Sequence, residues 1–131
     1  MLCLFILMLT LVVQGISLKD ANSTESVITK AKSFDPEDFD KVISENKIVL
    51  FSLKSCPYCK KAKKILQKKN AKTYMVQVNS LKNAAKVINF VNDKSGDSKY
   101  PKIYINGEYL GNYEALKKLS KDDEKWAAAV A

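Results

Sequence analysis

Hydrophobic positions along the chain fall into runs of different period. Leu2–Val13 is almost unbroken apolar sequence, LCLFILMLTLVV. Ser17–Ser33 is polar, rich in Ser, Thr, Lys and Asn. Asp35-Pro36-Glu37-Asp38 then reads as a helix start, with Asp at N-cap, Pro at N1 and acids in the first turn. Phe39, Val42 and Ile43 supply that helix with one buried stripe. Lys47–Leu53 (KIVLFSL) has the β-branched, apolar character of a buried strand. Behind it, Ala62, Ile65 and Leu66 share one face of a helix whose other faces carry Lys. Thr73–Val78 predicts a second strand. Leu81–Asn92 predicts a helix with Leu81, Ala84, Ala85, Ile88 and Val91 inward. Ser95–Ser98 is a loop. Pro101–Asn106 alternates as a strand, Asn106-Gly107 is a type I′ hairpin signal, and Glu108–Leu110 is the return strand. Gly111–Ser120 predicts a last helix, continued by Asp122–Val130. The order is α-β-α-β-α-β-β-α. A helical crossover makes the first two strands parallel, and the hairpin makes the last two antiparallel. This predicts an α/β fold: a small mixed four-stranded sheet with helices on both faces.

The N-terminal apolar run is 12 residues long, whereas a spanning helix needs about 20. Its length suits the apolar core of a secretory signal, and Val13-Gln14-Gly15 offers cleavage after Gly15. The expectation is residues 1–15 as a signal peptide, or an uncleaved signal-anchor extended by Ile16 and Leu18. Residues 16–33 are then a polar linker and residues 34–131 the domain, long enough for one compact core. Asn22-Ser23-Thr24 is a glycosylation sequon, usable only in a secretory lumen. The protein is therefore expected in the secretory pathway (endoplasmic reticulum, Golgi lumen or outside the cell), touching a membrane only if the N-terminal segment stays attached.

Composition narrows the chemistry. Of 131 residues, 22 are basic and all of these are Lys; Arg and His are absent, and the net charge is +8. Without His there is no Ser-His-Asp triad, no Cys-His dyad and no His-containing zinc site. Without Arg, bidentate phosphate or guanine recognition is lost. Lys60, Lys61, Lys64 and Lys68 fall largely on one helix face. A solvated face is the simplest account, steering of an anionic thiol is the second, and nucleic acid is not an expected partner. Three cysteines remain: Cys3, Cys56 and Cys59. Removal of the signal takes Cys3 with it.

Cys56-Pro57-Tyr58-Cys59 lies between a predicted buried strand and a helix N-terminus. Free backbone N–H groups and the helix dipole favour negative charge there, which holds the first cysteine toward its reactive thiolate. Lys54 and Lys60 add positive potential. Cys59, three residues on, lies within disulfide reach. A structural disulfide more usefully closes a longer loop, and zinc normally takes four protein ligands, so a redox-active dithiol is the favoured reading and no metal is expected. Tyr100-Pro101 opens a strand after a loop, where Pro is tolerated and a cis bond can sit.

The segments CPYCKKAK at Cys56–Lys63 and YPKIYINGEYLG at Tyr100–Gly111 resemble those of dithiol glutaredoxins, in the thioredoxin-fold superfamily, over about Phe34 to Leu119. The resemblance implies a thioredoxin-like three-layer fold and a glutathione-dependent thiol–disulfide oxidoreductase. Its substrates would be disulfide-containing or glutathionylated proteins, and glutathione would be its reducing co-substrate. It implies Cys56 as nucleophile, Cys59 as resolving cysteine in a Cys56–Cys59 redox disulfide, and Pro101 as a cis-proline facing Cys56. Tyr100 would offer its backbone to glutathione, and Tyr58 would flank it.

Four positions depart from the family pattern. Leu53 stands where the family has a glutathione-binding Lys, with Lys54 one residue later as the substitute. The family's Thr-Val-Pro element reads Lys99-Tyr100-Pro101, so Tyr100 replaces a Val. Asn112 replaces the second glycine of a pair, next to Tyr113, which with Glu114 is expected to contact glutathione. Ala115 replaces an Asp, with Glu114 as the acidic neighbour. These departures motivate one alternative, a general lumenal disulfide exchanger with weak glutathione affinity. The other is a dimer holding a [2Fe–2S] cluster on Cys56 and glutathione thiols. Pro57 disfavours it, since cluster-holding members more often carry a small residue there, and a monomer is expected.

Overall fold

The computed structural model describes residues 27–131. The expectations for the signal, Cys3 and Asn22 lie outside these residues. Five strands form one sheet in the order β1-β3-β2-β4-β5. They are β1 (Ile28–Lys30), β2 (Ile48–Ser52), β3 (Thr73–Gln77), β4 (Lys102–Ile105) and β5 (Glu108–Gly111). β1, β3 and β2 run parallel, while β4 is antiparallel to β2 and β5 to β4.

The sheet is therefore five-stranded rather than four-stranded. The extra strand, β1, comes from the stretch read as polar linker. Its residues are half-buried or exposed, so no apolar alternation marks it. Pairing with β3 makes it a strand: the Ala31 N–H donates to Met75 O and the Thr73 N–H to Val27 O, both at 2.8 Å. The folded unit thus begins ahead of Phe34.

Strand alternation divides the core between the two faces. Val49, Phe51, Val76 and Tyr104 point to one side, with Phe34, Phe39, Val87 and Val91. That side is covered by α1 (Phe39–Glu45) and α3 (Ala84–Ser95). Ile48, Leu50, Met75, Ile103 and Ile105 point to the other, with Ala62, Leu66, Leu116 and Trp126. Those last four come from α2 (Pro57–Lys68), α4 (Tyr113–Ser120) and α5 (Asp123–Ala129). This is the expected helix–sheet–helix sandwich.

Local chemistry moves several boundaries. Pro36–Asp38 forms a 3-10 turn before α1, and Asp35 makes no capping bond. Its carboxylate faces Asn83 and Lys86 instead. The helix read as Leu81–Asn92 begins only at Ala84, because Val78–Ser80 makes a 3-10 turn and Leu81 is extended. It runs on to Ser95, where Gly96 (φ +78°) supplies the left-handed cap. Val87 and Val91 are its buried residues, and Ala85 is exposed. Asn106 and Gly107 both have positive φ (52° and 81°), as a type I′ turn requires.

Candidate functional site

β2 is buried along its whole length, so its end is a fixed point. Three residues beyond it the backbone turns sharply through Ser55 (φ +64°), a left-handed conformation that costs a non-glycine residue roughly 1–2 kcal/mol. The turn delivers Cys56 to the N-cap of α2, with Pro57 in the first turn. The Cys59 N–H donates to Cys56 Sγ at 3.3 Å. This is the bond an N-cap side chain normally makes to an otherwise orphaned amide, with sulfur in place of oxygen. The bond holds the Cys56 sulfur at the first turn of α2.

Cys56 and Cys59 are both free thiols in this structure. Cys56 is half-buried and reachable; Cys59 is 1% exposed. Burial, and then the hydrogen bond shared with Cys56, push the Cys59 thiol up to about 12. Leu53 N–H donates to its Sγ at 3.5 Å. The pair is thus unequal: one sulfur faces solvent at the positive helix end, and the other waits protonated one turn inside.

This inequality has a pH signature. A free cysteine titrates near 8.5, and the folded thiol of Cys59 near 12. The unfolded chain therefore gives up its proton first. The stability associated with Cys59 is complete below about pH 8.5 and falls as pH rises toward 12. Tyr100 and Tyr109, both raised to about 12 chiefly by burial, act in the same direction. Urea unfolding of the reduced protein should show stability declining above about pH 9, and less steeply in Cys59→Ser.

Beside the cysteines lies a cleft of about 340 Å³ lined by Tyr58, Lys99, Tyr100, Asn112, Tyr113 and Glu114. Four of the residues expected to bind glutathione, Tyr58, Tyr100, Tyr113 and Glu114, come together there. Tyr58 is 52% exposed, and its ring lies 5.5 Å from that of Tyr113. Lys61 Nζ stands over both rings at 5.2 and 6.0 Å. Lys54 does not line the cleft; it is exposed, and its backbone N–H donates to Asn79 Oδ1 at 2.7 Å. Pro101 is buried, is not among the lining residues, and follows a cis peptide bond.

Sequence reasoning named Lys99 and Asn112 without giving either a part in binding. Lys99 occupies the flank of Tyr100 that the resemblance assigned to another residue type, and position was its one available signal. Asn112 caps α4, its Oδ1 accepting the Glu114 N–H at 3.1 Å, so the change from glycine strengthens a helix start. Gly111 is constrained in the opposite sense. Its φ is +134°, and a Cβ there would lie 2.9 Å from Ala115 Cβ. Ala115 thus fills the space against Gly111 that a longer side chain would have to vacate.

A mixed sheet between two helical layers, with a C-x-x-C dithiol capping the helix after the central strand, defines a thioredoxin-fold dithiol protein. The glutaredoxin family model matches residues 48–110. The chain is 34% identical to Glutaredoxin-C4 of Arabidopsis thaliana over 87 residues, 66% of this chain and 64% of the relative. It is 36% identical to Glutaredoxin 1 of Rickettsia prowazekii over 75 residues, 57% of this chain and 78% of the relative. A buckwheat glutaredoxin–glutathione complex superposes with a TM-score of 0.67 at 18% identity, over 72% of this chain and 86% of that one. The chain belongs to the glutaredoxin family. It spans just under two thirds of the length of the first curated relatives it matches, 64% of the Arabidopsis protein and 65% of mouse mitochondrial Glutaredoxin-2.

Proposed function

We propose that the chain is a glutathione-dependent thiol–disulfide oxidoreductase of the secretory pathway, with Cys56 as nucleophile and Cys59 as resolving thiol. The observation that carries this is the unequal pair: a reachable sulfur capping α2 and a buried, protonated partner one turn on. Cys56 thiolate attacks the glutathionyl sulfur of a mixed disulfide. That S–S bond breaks, the partner's thiolate leaves and takes a proton, and glutathione stays on Cys56. A second glutathione thiolate attacks its sulfur, releasing glutathione disulfide and restoring Cys56. On a protein disulfide, Cys56 thiolate bonds to one sulfur and frees the other as a thiol; Cys59 then gives up its proton and attacks Cys56 Sγ, breaking that mixed disulfide. The reduced partner leaves, and two glutathiones then reduce the Cys56–Cys59 bond.

Glutathione carries two carboxylates and one ammonium. The cleft offers a partner for one carboxylate and for the ammonium, with Lys99 as its cation and Glu114 as its anion, and three tyrosines in its wall. Membership of the family and the complex formed by the buckwheat relative support the same ligand. The exposed Lys60, Lys61 and Lys64 beside Cys56 raise the local concentration of an anionic thiol. Turnover of a glutathionylated peptide with glutathione as reductant tests the reading; a protein inert toward that peptide overturns it.

Lys99 therefore takes over the carboxylate contact that the sequence assigned to Lys54. Lys99→Ala should raise the KM for a glutathionylated peptide about 3- to 10-fold, the range for loss of a partly exposed charged contact. Lys54→Ala should change it less than twofold. Equal effects from the two would place the carboxylate elsewhere. For location, the apolar Leu2–Val13 run and the Val13-Gln14-Gly15 site support entry into the secretory pathway. N-terminal sequencing of protein from cells should find a start near Ile16; Met1 on a cytosolic protein would reject this.

A further inference from the structure

Lys102 is a lysine with no exposed surface. In β4 it shares a face with Tyr104, on the α3 side of the sheet. Its Nζ donates to Ser95 Oγ at 2.7 Å, Asp97 O at 2.8 Å and Asp97 Oδ1 at 2.9 Å. An ammonium has three protons, and three acceptors use them all. Ser95 is the last residue of α3, so the charge also sits at that helix's negative end. The Tyr100 ring lies 4.8 Å from Nζ, within cation–π range.

The network continues through Asp97. Its Oδ1 accepts the Lys99 backbone N–H at 2.9 Å, and its Oδ2 the Tyr109 hydroxyl at 3.2 Å. The hydrogen bond from Lys102 holds the Asp97 carboxyl below its usual range. Tyr100 is pinned at its far end, where its hydroxyl donates to Asn92 Oδ1 at 3.0 Å. The pair is buried at Lys102 alone, the Asp97 side chain being 37% exposed, and even a fully buried ion pair is often matched in stability by apolar groups of similar volume. This one instead ties down a loop with no regular structure of its own. Both residues it fixes, Lys99 by the backbone and Tyr100 by the ring, line the cleft beside Cys56.

We propose that Lys102 is a positioning residue whose pairing with Asp97 holds Lys99 and Tyr100 in the shape that receives the glutathionyl group. The proposal rests on the reading of the cleft as the glutathione site. It is tested with Lys102→Met, which keeps most of the side chain's length and removes the charge. On a glutathionylated peptide, KM should rise about 5- to 10-fold with kcat within about twofold, the pattern of lost binding without lost chemistry. Alkylation of Cys56 by iodoacetamide, which needs no cleft, should keep its rate. Asp97→Asn should move KM the same way by a smaller factor, since the amide oxygen still accepts but carries no charge.

An unchanged KM in folded Lys102→Met overturns the proposal and leaves the pair a packing feature. A parallel fall in kcat and alkylation rate overturns it too, by showing general distortion of the site. If Lys102→Met does not fold, Asp97→Asn is judged by the same criteria. A wild-type protein inert toward the peptide, with Cys56 still alkylated at its normal rate, overturns the glutathione reading itself and the proposal with it.

Discussion

Cys56→Ser is expected to abolish exchange on every substrate, while Cys59→Ser keeps turnover of glutathione mixed disulfides. The difference follows from place. Cys56 caps α2, receives the Cys59 N–H and is reachable from solvent. A serine hydroxyl in its place can accept the same hydrogen bond, but is far too basic to ionise there. Cys59 lies one turn inside, buried, with its thiol held protonated. It is not needed when a second glutathione can attack the intermediate. Cys59→Ser should therefore lose mainly the reduction of protein disulfides, which requires an internal thiol, and should trap protein partners covalently. Steady-state turnover of both variants on both substrate types checks this. If Cys59→Ser is as inactive as Cys56→Ser on mixed disulfides, glutathione does not resolve the intermediate, and a general disulfide exchanger fits better.

The largest expected loss of stability is at Phe51, one strand position before the end of β2. Its side chain is fully buried. Its ring meets Phe34 at 5.6 Å and Tyr104 at 5.8 Å edge-on, and stacks on Phe39 at 6.0 Å. Truncation removes these contacts and leaves a cavity that rigid strands on both sides cannot close. Phe51→Ala should cost about 3–5 kcal/mol, out of roughly 5–15 kcal/mol for a whole domain. In denaturant unfolding the midpoint should fall sharply with little change in slope. A loss below about 1 kcal/mol would mean that the aromatic cluster repacks freely.

The strand–turn–helix around Cys56 was legible in the sequence because each local signal agrees with the next: an apolar run, a Pro at the first helical turn, then apolar positions at helical spacing. The hairpin at Asn106-Gly107 was equally open, since its turn type depends on those two residues alone. β1 was hidden for the opposite reason. Ile28-Thr29-Lys30 has no pattern of its own and becomes a strand by pairing with β3, more than forty residues on. Lys102 was hidden because a lysine in an alternating strand reads as solvent-facing. Only its contacts with Ser95, Asp97 and Tyr100 show that the face is internal. Lys99 was overlooked by analogy: the sequence offered Lys54 as the nearest cation to a familiar position, whereas the lysine that lines the cleft comes from the loop before β4. Local chemistry wrote itself into the sequence; contacts between distant segments did not.

The edge strand β1 also sets which way the domain faces. Ile28 and Ile48 are both in register with Thr73 and their strands run parallel, so Ile28 is level with the first residue of β2. Cys56 lies beyond the last, Ser52. Four strand steps of about 3.3 Å separate those levels, or roughly 13 Å, with the Leu53–Ser55 turn in addition. A tether joined to the chain at Ile28 would therefore enter the domain at the pole away from the dithiol, as a plug takes its flex at the end opposite its pins.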